Sequence, residues 1–82
     1  MSVVFAPTRA ALVDALRSSL GTRMGEGAVA DLDADLFELG LDSIDAVEVT
    51  GDLEALFGIA VDPEILFECR SIGRTADTLA GG

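Results

Sequence analysis

The chain has 82 residues, half of them hydrophobic, and its 15 acidic residues against five basic ones give a formal net charge of −10. A chain this short forms one domain at most and buries only roughly 60% of the surface its unfolded form exposes, so its core has to be small and well built. The charge disfavours nucleic-acid phosphate and points to basic partners, no run of about 18 apolar residues exists to cross a membrane, and one cysteine, Cys69, allows neither an internal disulfide nor a cysteine-based zinc site.

In chain order, Leu12, Ala15, Leu16, Ser19 and Leu20 recur at i, i+3, i+4, i+7 and i+8 behind Pro7 and the capping residue Thr8. This spacing predicts a first helix over residues 8–20, ended by Gly21. Residues 21–41 hold Gly21, Gly25, Gly27 and Gly40 among spaced acids, which predicts a long loop with one helical turn near residues 34–38. Val29, Leu32, Leu36, Phe37 and Leu39 are expected to pin it across the core, and loops of this length tend to be functional. A second helix is expected from Asp42 or Ser43 to Phe57, stopped by Gly58; Asp42 caps it, and acids in its first turn suit the helix dipole. A short third helix opens at Asp62-Pro63-Glu64, and a fourth opens at Ser71 with Ile72, Thr75, Ala76 and Leu79 on one face before Gly81-Gly82. Only Ile59-Ala60-Val61 reads as extended, too little for a sheet. The expected fold is an all-α four-helix bundle, three longer helices and one short, in a single domain over residues 1–82.

Thirteen of the 15 acids lie between Arg23 and Arg70 with no base among them, so the middle of the chain is uniformly acidic. The second helix concentrates this pattern. Ala46, Val49, Thr50, Leu53 and Phe57 form an inward face, while Ile44, Val47, Glu48, Gly51 and Glu54 or Ala55 form a separate stripe. Apolar Ile44 and Val47 beside Asp45, Glu48 and Asp52 make a mixed surface suited to a partner with an apolar dent rimmed by Arg and Lys. Ser43 stands at the entrance to this helix, where free backbone amides and the positive dipole end favour a phosphate. A serine there is most often a cap and nothing more.

The surrounding sequence argues for more. Phe37-Glu38-Leu39-Gly40-Leu41-Asp42-Ser43-Ile44-Asp45-Ala46-Val47-Glu48 closely resembles the acyl carrier protein signature. Leu53-Glu54, Phe57-Gly58-Ile59, Asp62-Pro63-Glu64 and Ser71-Ile72-Gly73 resemble the family's later landmarks, so the resemblance runs over roughly residues 8–80. It implies that Ser43, with Asp42 beside it, receives 4'-phosphopantetheine from coenzyme A through a phosphopantetheinyl transferase and carries acyl groups as thioesters. It further implies a monomeric carrier without catalysis of its own, either a discrete protein or an excised module, which meets a ketosynthase, acyltransferase or acyl ligase through Ile44, Asp45, Val47, Glu48, Gly51 and Asp52; the lone cysteine fits a reducing cytoplasm. The absence of His agrees, because His-dependent nucleophilic machinery has no base here. Gly40-Leu41-Asp42 leans towards fatty acid or polyketide carriers, since peptidyl carriers commonly have His or a Gly-Gly context before the serine. Gly51 departs from the family, which often places a bulky apolar residue there; a mid-helix glycine costs about 1 kcal/mol against Ala.

Other readings are weaker. Asp31, Asp33, Asp35 and Asp42 imitate a calcium loop, but Leu36 replaces the turn glycine and Asp42 is shorter than the bidentate Glu. The terminal Gly81-Gly82 resembles the end of a ubiquitin-like sulfur carrier, a fold that needs alternating strands. Cys69 reads as a small hydrophobe or incidental thiol, and Arg70 and Arg74 as surface residues whose pairing is worth little. Met1 to Phe5 is too short, and too poor in positive charge, for a signal peptide.

Overall fold

A computed structural model describes residues 7–81; the readings of Met1 to Phe5 and of Gly82 fall outside the described residues. Four helices follow one another, α1 Arg9–Met24, α2 Ser43–Phe57, α3 Glu64–Cys69 and α4 Ile72–Leu79, with a 3-10 turn at Glu26–Val29 and no strand among the described residues. α1 packs on α4, α2 and the 3-10 turn, and α3 packs on α4. With 16, 15, six and eight residues, the bundle has two long helices, and α4 stands nearer to short α3 than to them.

Capping sets the starts where the sequence indicates. The Thr8 side chain accepts the Ala11 amide at 3.1 Å and Ser71 Oγ accepts Arg74 N–H at 3.3 Å; α3 has Pro63 at its cap position with no side-chain cap, and Asp62 Oδ1, accepting Glu64 N–H at 2.9 Å, makes a turn just before it. α1 runs past its expected end at Gly21 by one turn. A Cβ on Gly21 would meet the Val29 side chain at an ordinary 3.8 Å, so this glycine lies under the 3-10 turn and inside the helix. The stop is Gly25, whose φ of +93° no other residue type adopts cheaply and whose amide closes on Gly21 C=O at 2.9 Å.

The core joins all four helices: Leu12, Leu16 and Leu20 of α1, Ala46, Val49 and Leu53 of α2, Leu66 of α3, and Ile72 and Ala76 of α4 are essentially inaccessible. Thr50 and Thr75 join them because their hydroxyls donate to Ala46 C=O and Ser71 C=O one turn back, leaving no buried side-chain polar atom unpaired among the described residues. The connection over residues 25–41 is fastened to this core by Val29, Leu36 and Leu41. Leu39, expected to help pin it, is 47% exposed instead: the turn over residues 36–40 directs Leu36 and Leu41 inward and leaves Leu39 outside. Two backbone bonds clip the loop to the far end of the chain, Leu36 N–H to Arg70 C=O at 2.7 Å and Gly73 N–H to Leu32 C=O at 2.9 Å. The clip is close at Gly73: a Cβ there would sit 3.2 Å from Leu32 C=O, so a larger residue needs that backbone to give by a few tenths of an ångström.

Candidate functional site

The approach to Ser43 is built residue by residue. Asp35 Oδ1 accepts the amides of Phe37 at 2.9 Å and Glu38 at 3.3 Å and starts a tight turn, closed by Leu39 N–H on Asp35 C=O and Leu41 N–H on Leu36 C=O. Gly40, at φ +112°, lets the chain leave that turn. Buried Leu41 anchors the next step, and Asp42 in extended conformation caps α2, its Oδ1 accepting Asp45 N–H at 2.8 Å and its carbonyl accepting Ala46 N–H at 3.0 Å. Ser43 follows as the first residue of α2, exposed, with no hydrogen bond to its hydroxyl among the described residues. The Ser43 and Ile44 amides likewise find no acceptor in the described chain.

The far side of the turn is held by Arg70. Its Nε donates to Asp35 Oδ2 at 2.6 Å, its guanidinium lies 5.2 Å over the Phe37 ring, and Phe37 stacks on Phe67 of α3 with centroids 4.7 Å apart. Arg70 itself ends α3 at φ +65°, a left-handed conformation that costs a non-glycine residue about 1 kcal/mol. The hydrogen bond from Arg70 holds the Asp35 carboxyl below its ordinary range, with the Glu38 and Phe37 amides acting in the same direction; Asp35 in turn raises Arg70. Arg70 is therefore a clamp between loop and bundle, more than the plain surface residue its position in the sequence indicated. Asp31 Oδ1 accepts Asp33 N–H at 2.9 Å, so Asp31 and Asp35 serve as turn acceptors where the sequence imitates a calcium loop. Cys69 is half-buried, its Sγ 3.5 Å from Thr78 Oγ1.

On α2, Ile44 and Val47 are 69% and 55% exposed, Glu48, Gly51 and Asp52 are exposed, and Asp45 is half-buried. The helix thus brings together the residues expected on its outer side, with Ala46, Val49, Thr50 and Leu53 inward. Gly51 leaves a notch: nothing lies within 4 Å of where its Cβ would be. Glu54 belongs elsewhere, because its Oε2 accepts Val61 N–H at 2.8 Å and ties down the link to α3. Three features escaped the sequence reading. Leu56 is 66% exposed on α2, Phe67 is 42% exposed on α3, and Arg23 of α1 reaches across to Glu48 and Asp52, at 3.2 Å each. Leu56 was visible as an apolar residue out of register with Leu53 and Phe57; the Arg23 pairs, 25 and 29 residues apart in sequence, leave no local signal.

A phosphodiester fits the end of α2. The Ser43 hydroxyl is accessible, two amides stand free at the positive end of a 15-residue helix, and Asp42 occupies only the third. The family described as "Phosphopantetheine attachment site" matches residues 10–79 of the chain. Mycoketide-CoA synthase of Mycobacterium tuberculosis is 36% identical over 61 residues, 72% of this chain and 2% of that protein. Acyl carrier protein 1, chloroplastic, of Spinacia oleracea is 36% identical over 56 residues, 68% of this chain and 41% of that protein. The chain thus spans less than half the length of either relative. Carrier domains of this kind work with synthase and transferase enzymes and are not themselves catalytic. With that match over most of its length and an all-helical bundle around it, the chain belongs to the phosphopantetheine attachment family and is a carrier protein whose cofactor is phosphopantetheine.

Proposed function

We propose that Ser43 is the residue to which the phosphopantetheine arm is attached and that residues 1–82 act as one acyl carrier domain. The observation that carries this reading is an accessible serine hydroxyl on a capped helix end with two unused amides, inside the Leu39-Gly40-Leu41-Asp42-Ser43-Ile44 motif. When bound, the arm supplies a terminal thiol that holds acyl groups as thioesters and raises their local concentration at each partner enzyme.

This chain's own part is to hold and to present. The Asp42 cap fixes the backbone at the attachment point, and the Ser43 and Ile44 amides stabilise a phosphate on Oγ. The chain has no His to deprotonate the serine, so the base for modification comes from a phosphopantetheinyl transferase. Ile44, Asp45, Val47, Glu48, Gly51 and Asp52 form the face that transferase and acyl-processing enzymes meet, among them a ketosynthase, acyltransferase or acyl ligase with basic rims. The names of the two relatives, a ketide-CoA synthase and an acyl carrier protein, favour a fatty acid or polyketide cargo over a peptidyl one. We place this carrier as a cytoplasmic monomer; among the described residues no helix is long and apolar enough to cross a membrane.

Coexpression with a broad-specificity phosphopantetheinyl transferase tests the reading. Intact-mass measurement is expected to find one added phosphopantetheine on the wild type and none on Ser43→Ala. A wild-type chain left unmodified, under conditions that load a control carrier, overturns it.

A further inference from the structure

The outer face of α2 is not uniformly available to basic partners. Arg23, in the last turn of α1, donates Nε to Glu48 Oε1 and NH1 to Asp52 Oδ2, both at 3.2 Å. The same NH1 donates to Ser19 C=O at 2.9 Å and Ser19 Oγ at 3.0 Å, and Ser19 Oγ donates onward to Asp52 Oδ2 at 2.7 Å. The guanidinium is thus held by its own helix and by two acids of the next. Its side chain is only 21% exposed, while Glu48 and Asp52 remain 55% and 54% exposed. None of the other arginines does this. Arg9 pairs with Asp77, Arg17 donates to Val29 and Ala30 carbonyls, and Arg70 pairs with Asp35.

We infer that Arg23 is an internal counter-ion that masks Glu48 and Asp52, confining the charge a basic partner can read on α2 to the Ser43 end, at Asp42 and Asp45. The inference rests on the docking role proposed for α2. A cation arriving at Glu48 or Asp52 meets carboxylates already paired and a nearby positive guanidinium, so it gains little there. At the Ser43 end, among the described residues, the Asp42 carboxylate accepts only the Asp45 amide and no arginine forms an ion pair with Asp42 or Asp45. Masking thereby selects partners whose basic residues sit close to the attachment serine and whose contact further along α2, at Val47, Gly51 and Ala55, is apolar.

The test is the loading rate of the full chain by a phosphopantetheinyl transferase with coenzyme A, read as kcat/KM at low and high ionic strength. Arg23→Gln is expected to raise kcat/KM roughly two- to five-fold at low ionic strength, the range an exposed ion pair supports, and to lose the gain at high salt. Arg9→Gln makes the same change in net charge at the other end of α1 and is expected to give no such gain. The double variant Glu48→Gln/Asp52→Asn is expected to slow Arg23→Gln more than it slows the wild type, and so to erase the gain. Arg23→Gln loading no faster than wild type overturns the inference and leaves Arg23 as a structural tie, visible only as a lower melting temperature. So does a double variant that slows the wild type as much as it slows Arg23→Gln. A wild type that is not loaded at all overturns the reading of Ser43, and this inference with it.

Discussion

α1 and α2 are nearly equal in length and contribute alike to the core, yet their outer faces differ. The exposed residues of α1 are Arg9, Ala10, Asp14, Arg17, Ser18 and Thr22, all polar or small. Those of α2 include Ile44, Val47 and Leu56, each more than half exposed, among acids. Both helices had the same opportunity to place polar groups outward, and only α1 took it throughout. Three large apolar residues left in water on one 15-residue helix, with Ile44 and Val47 beside Ser43, support the proposal that α2 carries the docking surface.

Truncation of buried and exposed apolar residues on one helix gives the largest contrast. Leu53→Ala removes a side chain that is 1% exposed and is expected to lower stability by about 2–5 kcal/mol. Ile44→Ala is expected to stay within about 0.5 kcal/mol of wild type while loading by the transferase falls roughly ten-fold, the equivalent of about two methylenes desolvated on docking. Urea unfolding and kcat/KM on the same two variants check this; equal losses of stability would erase the distinction between the faces. A smaller effect is expected at the notch. Gly51→Ala meets no atom and is expected to stabilise α2 by about 1 kcal/mol, raising the melting temperature by about 4–8 °C. An unchanged or lower melting temperature would mean that this face is already tightly constrained.

The smallest effect lies outside both helices, at the Asp35–Arg70 pair. Because Asp35 is held below its ordinary value of 3.8 in the folded chain, its contribution is present above that value and is lost as pH falls through the depressed one. Wild type is therefore expected to exceed Asp35→Asn in stability at neutral pH, with the gap closing in acid. Urea unfolding at both ends of that range checks the sign.

Much of α2 was legible in the sequence because its signals are local. Asp42 caps it, Gly58 ends it in the left-handed conformation, and its inward residues recur at helical spacing. The motif proposed for attachment is local too. The end of α1 was misplaced because Gly21 signals a stop that only packing under Val29 overrides, and that contact depends on a 3-10 turn too short to show periodicity. Arg70 and Arg23 were opaque for a different reason. Each acts on a residue 25 or more positions away, and nothing in the neighbouring sequence distinguishes a clamp or a counter-ion from a solvated side chain.

The two clips that join Leu36 to Arg70 and Leu32 to Gly73 also bear on the order of folding. They span 34 and 41 residues, so a growing chain cannot close them until residues 70 and 73 have left the ribosome. Until then the turn that leads into the Ser43 helix lacks its backing, and the serine is presented in its finished setting only once residue 73 has emerged. If Ser43 is the attachment point proposed above, a transferase that reads this setting meets it complete only in folded carrier.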